Sequence, residues 1–452
     1  MNKEFGAVKG LIIAAPSSGS GKTVLTLGLL RHLSNKGRPV ASAKAGPDYI
    51  DPAFHAAATG RPCYNLDLWA MRPSMLAHAA SLGVDTKTII CEGVMGLFDG
   101  AVMEHGSTAD LAEATGWPVI LVVDAAAQGA SAGAVLRGFA SHRPGLAPAG
   151  AVFNRVGGGR HREILSKAAH LAAPDIKVLG FVPRAADLSL PDRHLGLVQA
   201  LEHNNLDVFL DSAAKLVADN INVEEMLSLA QPLKLNSQNS FTYMPPLGQR
   251  IAIAQDEAFT FRYPLILEGW KAQGAELSFF SPLDDQPPPK DADAIYLPGG
   301  YPELHGYRLG SATRFMDGLK QAADKDTVVF GECGGYMVLG KGLIDADGQR
   351  HAMAGLLPLE TSFAKRKLHL GYRSVQLDAG AALGSGRVLG APGQRYRGHE
   401  FHYASVINES PGAPLFQAQD AAGNDLGLLG LADGKVMGSF IHLIDRVDDD
   451  DE

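Results

Sequence analysis

Short runs of apolar residues recur along the chain and alternate with stretches of helical period. Leu11-Ile12-Ile13-Ala14-Ala15 is apolar throughout, as a strand buried on both faces would be. After a serine- and glycine-rich loop, Val24, Leu25, Leu27, Leu29, Leu30 and Leu33 fall on one side of an expected helix. Further strands are expected at 40–43, 88–92, 119–123, 149–153 and 177–183, the last clear element of the sheet. Strands and helices in alternation predict a doubly wound, mostly parallel α/β sheet. The helical pattern continues over 197–230, with Leu206, Val208, Phe209, Leu210 and Leu216 as packing residues.

From 231 to 249 the periodicity lapses among Pro232, Pro245, Pro246 and Gly248, which reads as an interdomain linker. The pattern restarts with the strand Arg250-Ile251-Ala252-Ile253-Ala254, a helix over 263–274 and a strand at 277–280. The expected organisation is a first domain over 1–231, a linker over 232–248, a second α/β domain over 249–447 and an acidic tail over 448–452. With 452 residues, either domain is large enough to fold around its own core.

Composition narrows the function classes. The chain is 46% hydrophobic and 20% charged, as in an ordinary soluble protein, and its net charge of −9 gives no nucleic-acid footprint. Asp448-Asp449-Asp450-Asp451-Glu452 reads as a solvated tail. Cys63, Cys91 and Cys333 are odd in number and far apart, which argues against disulfides or a structural zinc site. No signal-peptide core and no run of about 18 apolar residues is seen, so a cytoplasmic protein without a membrane partner is expected.

Candidate chemistry begins with Pro16-Ser17-Ser18-Gly19-Ser20-Gly21-Lys22-Thr23 between the first strand and helix. This order suits a phosphate cradle. Ser18, Gly19, Ser20 and Gly21 offer backbone N–H groups, Lys22 adds positive charge, and the Thr23 hydroxyl suits Mg²⁺ beside a bound ATP. The strict pattern has glycine where Pro16 stands. Asp48 and Asp51, flanking Tyr49-Ile50 after a Gly-Pro turn, are either turn formers or metal and substrate groups. Glu92 closes an apolar strand ahead of a glycine-rich loop that carries Asp99, well placed for a metal in an open α/β sheet. Asn154, at another strand end, either meets an adenine edge or caps a turn.

In the second half, Val328-Val329-Phe330-Gly331-Glu332 leads into Cys333-Gly334-Gly335 and an expected helix. A cysteine on such a turn is expected to expose its sulfur near a helix N-terminus, where a thiolate nucleophile is favoured. Gly299 and Gly300, at the end of another strand, suit an oxyanion hole or a plain turn. Among fifteen histidines, His442 stands at the end of a late apolar strand over 435–443 and is the best candidate base for Cys333. Arg366, Lys367, Arg373, Arg395 and Arg397 either steer a polycarboxylate or form a solvated basic face.

These motifs, taken in order with Glu92-Gly93-Val94-Met95-Gly96-Leu97-Phe98-Asp99-Gly100 and Leu297-Pro298-Gly299-Gly300-Tyr301-Pro302-Glu303, resemble the cobyrinic acid a,c-diamide synthase family across nearly the whole chain. The resemblance implies a dethiobiotin synthetase-like half and a class I glutamine amidotransferase half. It implies ATP, glutamine and a corrinoid polycarboxylate, hydrogenobyrinate or cobyrinate, as substrates, and by analogy a homodimer. Thr23, Asp48 and Glu92 would hold Mg²⁺, with Asp99 in a catalytic role; Asp51, Arg373, His399 and Glu400 would meet the substrate. Many amidotransferases of this class carry an acid two residues after the histidine, where this chain has Ile444, so a third catalytic member is not identifiable, and the orientation of Asp445 is open. Competing readings are a cobyric acid synthase, a nickel-sirohydrochlorin amidase, and a non-catalytic P-loop switch ATPase with an inactive amidotransferase domain.

Overall fold

The first apolar run forms the strand Lys9–Ala14, whose Leu11 and Ile12 are completely buried in the computed structural model. The structure describes residues 8–448 apart from 84–85, 87, 104, 186–187, 189–191, 194–195, 198, 203–204, 236–240 and 410–411. The chain divides into two units, one of residues 1–69 and 73–241, the other of 70–72 and 242–452. The division falls inside the expected linker, and Gln231–Pro232 pairs with Lys9 and Gly10 as part of the first unit.

In the first unit, seven parallel strands stand in the order Cys63–Leu66, Ala41–Ala45, Thr88–Glu92, Lys9–Ala14, Val119–Asp124, Gly150–Val156 and Lys177–Pro183. The order reverses around Lys9–Ala14, where the loops at the strand C-termini diverge and leave a crevice for a ligand. The doubly wound expectation holds. Ile13 lies in register with Glu92, which brings the P-loop and the strand-end acid together. The helical segment after the sheet begins later than expected, as Ala200–Glu202, Leu206–Asn220 and Val223–Ser228. Phe209 and Leu210 pack inward, but Val208 is 66% exposed because it falls on the outer face of its helix.

The second unit holds a mixed ten-stranded sheet. Its parallel part runs Glu276–Phe280, Arg250–Ala254, Ala294–Leu297, Val328–Glu332 and Val436–Ser439. Antiparallel strands Asp425–Asp433, Ala413–Asp420, His369–Leu377, Arg395–His402 and Ile441–Val447 complete it. Ile251 and Ile253 enter one apolar cluster with Trp270 and Phe330, while Ala252 and Ala254 enter the other with Phe315 and Tyr336. That is the period-two alternation of a strand covered on both faces. The strand expected over 435–443 is in fact two, Val436–Ser439 and Ile441–Val447, broken at Phe440. Their distant places in the strand order show that the sheet curls back on itself.

The expected tail begins one residue too early: Asp448 pairs with Arg72 and with Arg446, because two guanidinium groups neutralise it, and 449–452 lie outside the described residues. Among the described residues, no helix is long and apolar enough to cross a membrane.

Candidate active sites

The phosphate loop is shaped by its glycines. Gly21 has a φ of 91°, and a Cβ there would lie 2.2 Å from the Asn154 amide nitrogen, so only glycine fits. Asn154 donates to the Ser20 carbonyl at 2.9 Å; it braces the loop, leaving one amide N–H for a base. Lys22 and Thr23 open the helix Lys22–Asn35. The Lys22 ammonium donates to the Met95 carbonyl at 2.6 Å, and burial lowers its proton affinity. Gly96 N–H donates to Asp99 at 2.9 Å, so this carboxylate shapes the loop that faces Lys22.

Behind the loop lies a buried charge network. The Thr23 hydroxyl donates to Glu92 at 2.6 Å, Lys44 donates to Asp51 at 2.5 Å and to Glu92 at 3.1 Å, and His55 Nε2 meets Glu92 at 2.8 Å. Burial alone would raise the Glu92 carboxyl, but Lys44 and His55 hold it well below the usual carboxylate range. Burial and the neighbouring Asp48 push Asp51 up to about 7 against the pull of Lys44. His55, which burial alone would lower, is raised to about 10 by Cys63 and Glu92. Asp48 accepts the N–H groups of Ile50 and Asp51 through Oδ1, so it is a turn former as well as a candidate ligand. A hydroxyl and carboxylate oxygens gathered beside Lys22 are hard donors that fit Mg²⁺. Lys44, His55 and Cys63 escaped the sequence reading because nothing in their spacing marks them; only the fold places them behind Glu92.

In the second unit, Cys333 sits on a strained turn at φ 47° and ψ −105°, at the mouth of the helix Gly334–Leu339. Its N–H donates to the Ser439 carbonyl at 2.8 Å, which ties the turn to the neighbouring strand. The sulfur is not exposed as expected: Cys333 is 1% accessible, and burial, with Glu303 nearby, raises its thiol pKa. A Cβ built on Gly299 would lie 3.2 Å from Cys333 Cβ, 2.4 Å from His442 Cε1 and 3.1 Å from His442 Nε2. Gly299 is therefore the gap in which nucleophile and candidate base meet. Gly300 lies against Gly334, placing both strand-end glycines beside the cysteine turn. Burial lowers the His442 imidazole to about 3.

His399 stands opposite His442 across two antiparallel strands, and Glu400 opposite Ile441. Arg373 donates to Glu400 at 2.7 Å and His402 meets it at 2.9 Å, so this arginine is paired with a buried acid and is not part of a solvated basic face. Burial alone would raise Glu400, but His402 and Arg373 bring it down to about 2. His369, Glu400 and His402 offer donor atoms within 4.8 Å of one another, a set that could hold a metal ion, although Arg373 already supplies a cation there. Asp445 is held by Arg72 through its backbone N–H at 2.9 Å and its guanidinium at 2.9 and 3.0 Å, so it is not a partner of His442. The acid that does approach is Glu332, with Oε2 3.8 Å from His442 Nδ1. A carboxylate inside an otherwise apolar strand was its signal in the sequence.

Residues 11–198 match the CobQ/CobB/MinD/ParA nucleotide binding domain, and residues 250–448 match the CobB/CobQ-like glutamine amidotransferase domain. A relative from Rhizobium meliloti, hydrogenobyrinate a,c-diamide synthase, is 52% identical over 443 residues, 97% of this chain and 99% of its own. The chain belongs to the hydrogenobyrinate a,c-diamide synthase family. Members of that name from Brucella anthropi and Rhodobacter capsulatus are 50% and 49% identical, covering 97% and 96% of this chain and 99% and 98% of their own. The family match spans both sites, so the P-loop network and the Cys333 turn are parts of one family architecture. The first half carries a nucleotide-binding domain and the second a glutamine amidotransferase domain.

Proposed function

We propose that the protein is a cytoplasmic, ATP- and glutamine-dependent amidoligase that converts the a and c acetate carboxylates of hydrogenobyrinate to carboxamides in cobalamin biosynthesis. The observation that carries this reading is half identity over 97% of the chain to synthases of that name, in a chain that keeps a P-loop and a buried cysteine–histidine pair.

A carboxylate is a poor electrophile, so it first attacks the γ-phosphate of ATP, giving an acyl phosphate and ADP. Loop N–H groups and Lys22 stabilise the phosphoryl oxygens. A magnesium ion, held by Thr23, Glu92 and Asp48, would neutralise further phosphate charge. Lys44 and His55 keep Glu92 ionised and oriented for that task. Asp99 organises the loop facing Lys22, and Asp51, with Asp48, borders the carboxylate to be activated.

In the second unit, Cys333 attacks the glutamine carboxamide while His442 accepts the thiol proton and passes it to departing ammonia. Gly299 and Gly300 N–H groups stabilise the oxyanion. Water then hydrolyses the glutamyl thioester to glutamate, and ammonia displaces phosphate from the acyl phosphate. Each turnover consumes one ATP, one glutamine and one water and yields amide, ADP, phosphate and glutamate.

The test is incubation with ATP and glutamine of hydrogenobyrinate or its cobalt-containing analogue, followed by mass spectrometry. Two amides on the metal-free ring are expected. Four amides would favour the cobyric acid synthase reading, product from nickel-sirohydrochlorin alone the nickel-tetrapyrrole reading, and ATP hydrolysis without amide the switch ATPase. Cys333→Ala is expected to abolish glutamine use and retain amidation from ammonium salts. A homodimer, expected by analogy, is checked by light scattering.

A further inference from the structure

The imidazole of His442 has two sides with different neighbours. Cε1 and Nε2 face the space at Gly299 beside Cys333, while Nδ1 faces Glu332 Oε2 at 3.8 Å. We propose that Glu332 is the third member of the glutaminase relay, a positioning residue that holds the His442 ring in the tautomer whose unprotonated Nε2 accepts the cysteine proton. The inference rests on the assignment of Cys333 and His442 as nucleophile and base.

Glu332 is 3% exposed and anchored at both oxygens: Oε1 accepts the Leu443 N–H at 3.1 Å, and Oε2 accepts the Tyr296 hydroxyl at 2.6 Å. The Leu443 bond fixes the residue next to His442, so the carboxylate holds backbone and ring together. Behind it lies a narrow apolar cavity lined by Trp270, Phe330, Val388 and Tyr396. A carboxyl in such surroundings costs stability that its two hydrogen bonds only partly offset, which marks it as a group kept for a task. A separation of 3.8 Å exceeds a hydrogen bond, but relay contacts in substrate-free enzymes tighten when the site fills. An ionised Glu332 beside Nδ1 favours the Nδ1–H form and then the imidazolium, as the acid of a catalytic triad does. Asp445, the sequence-adjacent alternative, is committed to Arg72. The acid thus precedes the nucleophile directly in sequence and does not follow the histidine.

The test is Glu332→Gln, whose amide can still meet Tyr296 and Leu443 but offers Nδ1 a donor. The kcat for glutamine hydrolysis is expected to fall roughly 10²–10⁴-fold, with KM for glutamine changed less than about threefold. Amidation from ammonium chloride reports that the chain is folded. A second measurement needs no folded variant: ¹⁵N-histidine NMR of the wild-type protein, with His442 assigned by its loss in His442→Asn. An Nδ1–H tautomer supports the proposal. An Nε2–H tautomer, or Glu332→Gln hydrolysing glutamine at the parental kcat while Cys333→Ala is dead, overturns it. If Cys333→Ala itself still hydrolyses glutamine, the underlying assignment fails instead.

Discussion

Replacing Gly299 by alanine tests whether the nucleophile and base meet where the geometry puts them. Its φ is not left-handed, so the substitution probes space and not backbone strain. The new methyl would lie 2.4 Å from His442 Cε1, whereas carbon atoms in contact sit roughly 3.5 Å apart or more. The ring or the glycine strand must therefore move by about 1 Å. A shift of that size costs about 10²-fold in rate, or about 2.7 kcal/mol in barrier, when reacting groups must be aligned. Overpacking is expected to cost about 1–3 kcal/mol of stability. Glutaminase activity, read as glutamate released, should fall by that factor, while ammonium-driven amidation persists. Gly138→Ala is the control: it lies exposed in the helix Ser131–Ser141 with open space around its Cβ, and should gain up to about 1 kcal/mol. Parental glutaminase activity in Gly299→Ala, or equal loss of both activities, would refute the assignment.

Gly21→Ala combines a φ of 91° with a 2.2 Å overlap on Asn154, so calorimetry should show ATP affinity at least tenfold weaker, with glutaminase activity intact. Glu400→Gln tests a pH-dependent term. The folded carboxyl titrates near 2 and the unfolded one near 4.5, so its stabilisation is present above about pH 4.5 and lost as pH falls toward 2. The wild type's lead over the variant, of order 3 kcal/mol, should shrink between pH 5 and pH 3 in urea titrations. Arg72→Ala strands the buried Asp445 carboxylate and should destabilise the second unit by about 3–5 kcal/mol. Arg72→Met with Asp445→Asn should recover part of that loss in thermal melts.

The first unit was legible because its signals are local. Leu11 to Thr23 reads as strand, loop and helix within one window, and short apolar runs mark the other parallel strands except Cys63–Leu66, a four-residue edge strand whose Tyr64 and Asn65 give no such run. The second was harder where contacts are distant in sequence. The break at Phe440 leaves no periodicity signal, since Ser439, Ile441 and His442 on either side are all buried whatever their polarity. The turn geometry is visible in Gly331 to Gly335, but the groups that bury the cysteine, Gly299 beside its Cβ and the Phe401 carbonyl beside its sulfur, come from other parts of the chain. Asp48 and Asn154 show the local role that spacing allowed, turn former and loop brace. Lys44 and His55 each have a partner close in sequence, Asp51 and Cys63, but the carboxylate that joins them, Glu92, lies 48 and 37 positions away, and Glu332 meets the Leu443 N–H across 111.

The two sites differ in how they hold charge, and the reactions explain why. Behind the P-loop, Lys44 and His55 keep Glu92 ionised before any ligand arrives, so the site is charged in its resting state. Phosphoryl transfer benefits from fixed charge, because the transition state spreads charge over oxygens that preorganised groups can meet without reorganising. Around Cys333, burial works the other way: it raises the thiol, lowers His442 to about 3 and lifts Glu332 to about 7. Each of these three groups singly resists ionisation, while the charged Glu400 nearby is already balanced by Arg373 and His402. Amide attack needs a thiolate and an imidazolium together and only briefly, and the imidazolium forms between Glu332, which faces Nδ1, and the field of the ionised Glu400. A cysteine held neutral until glutamine fills the gap at Gly299 is also protected from oxidation, since the thiolate is the reactive form.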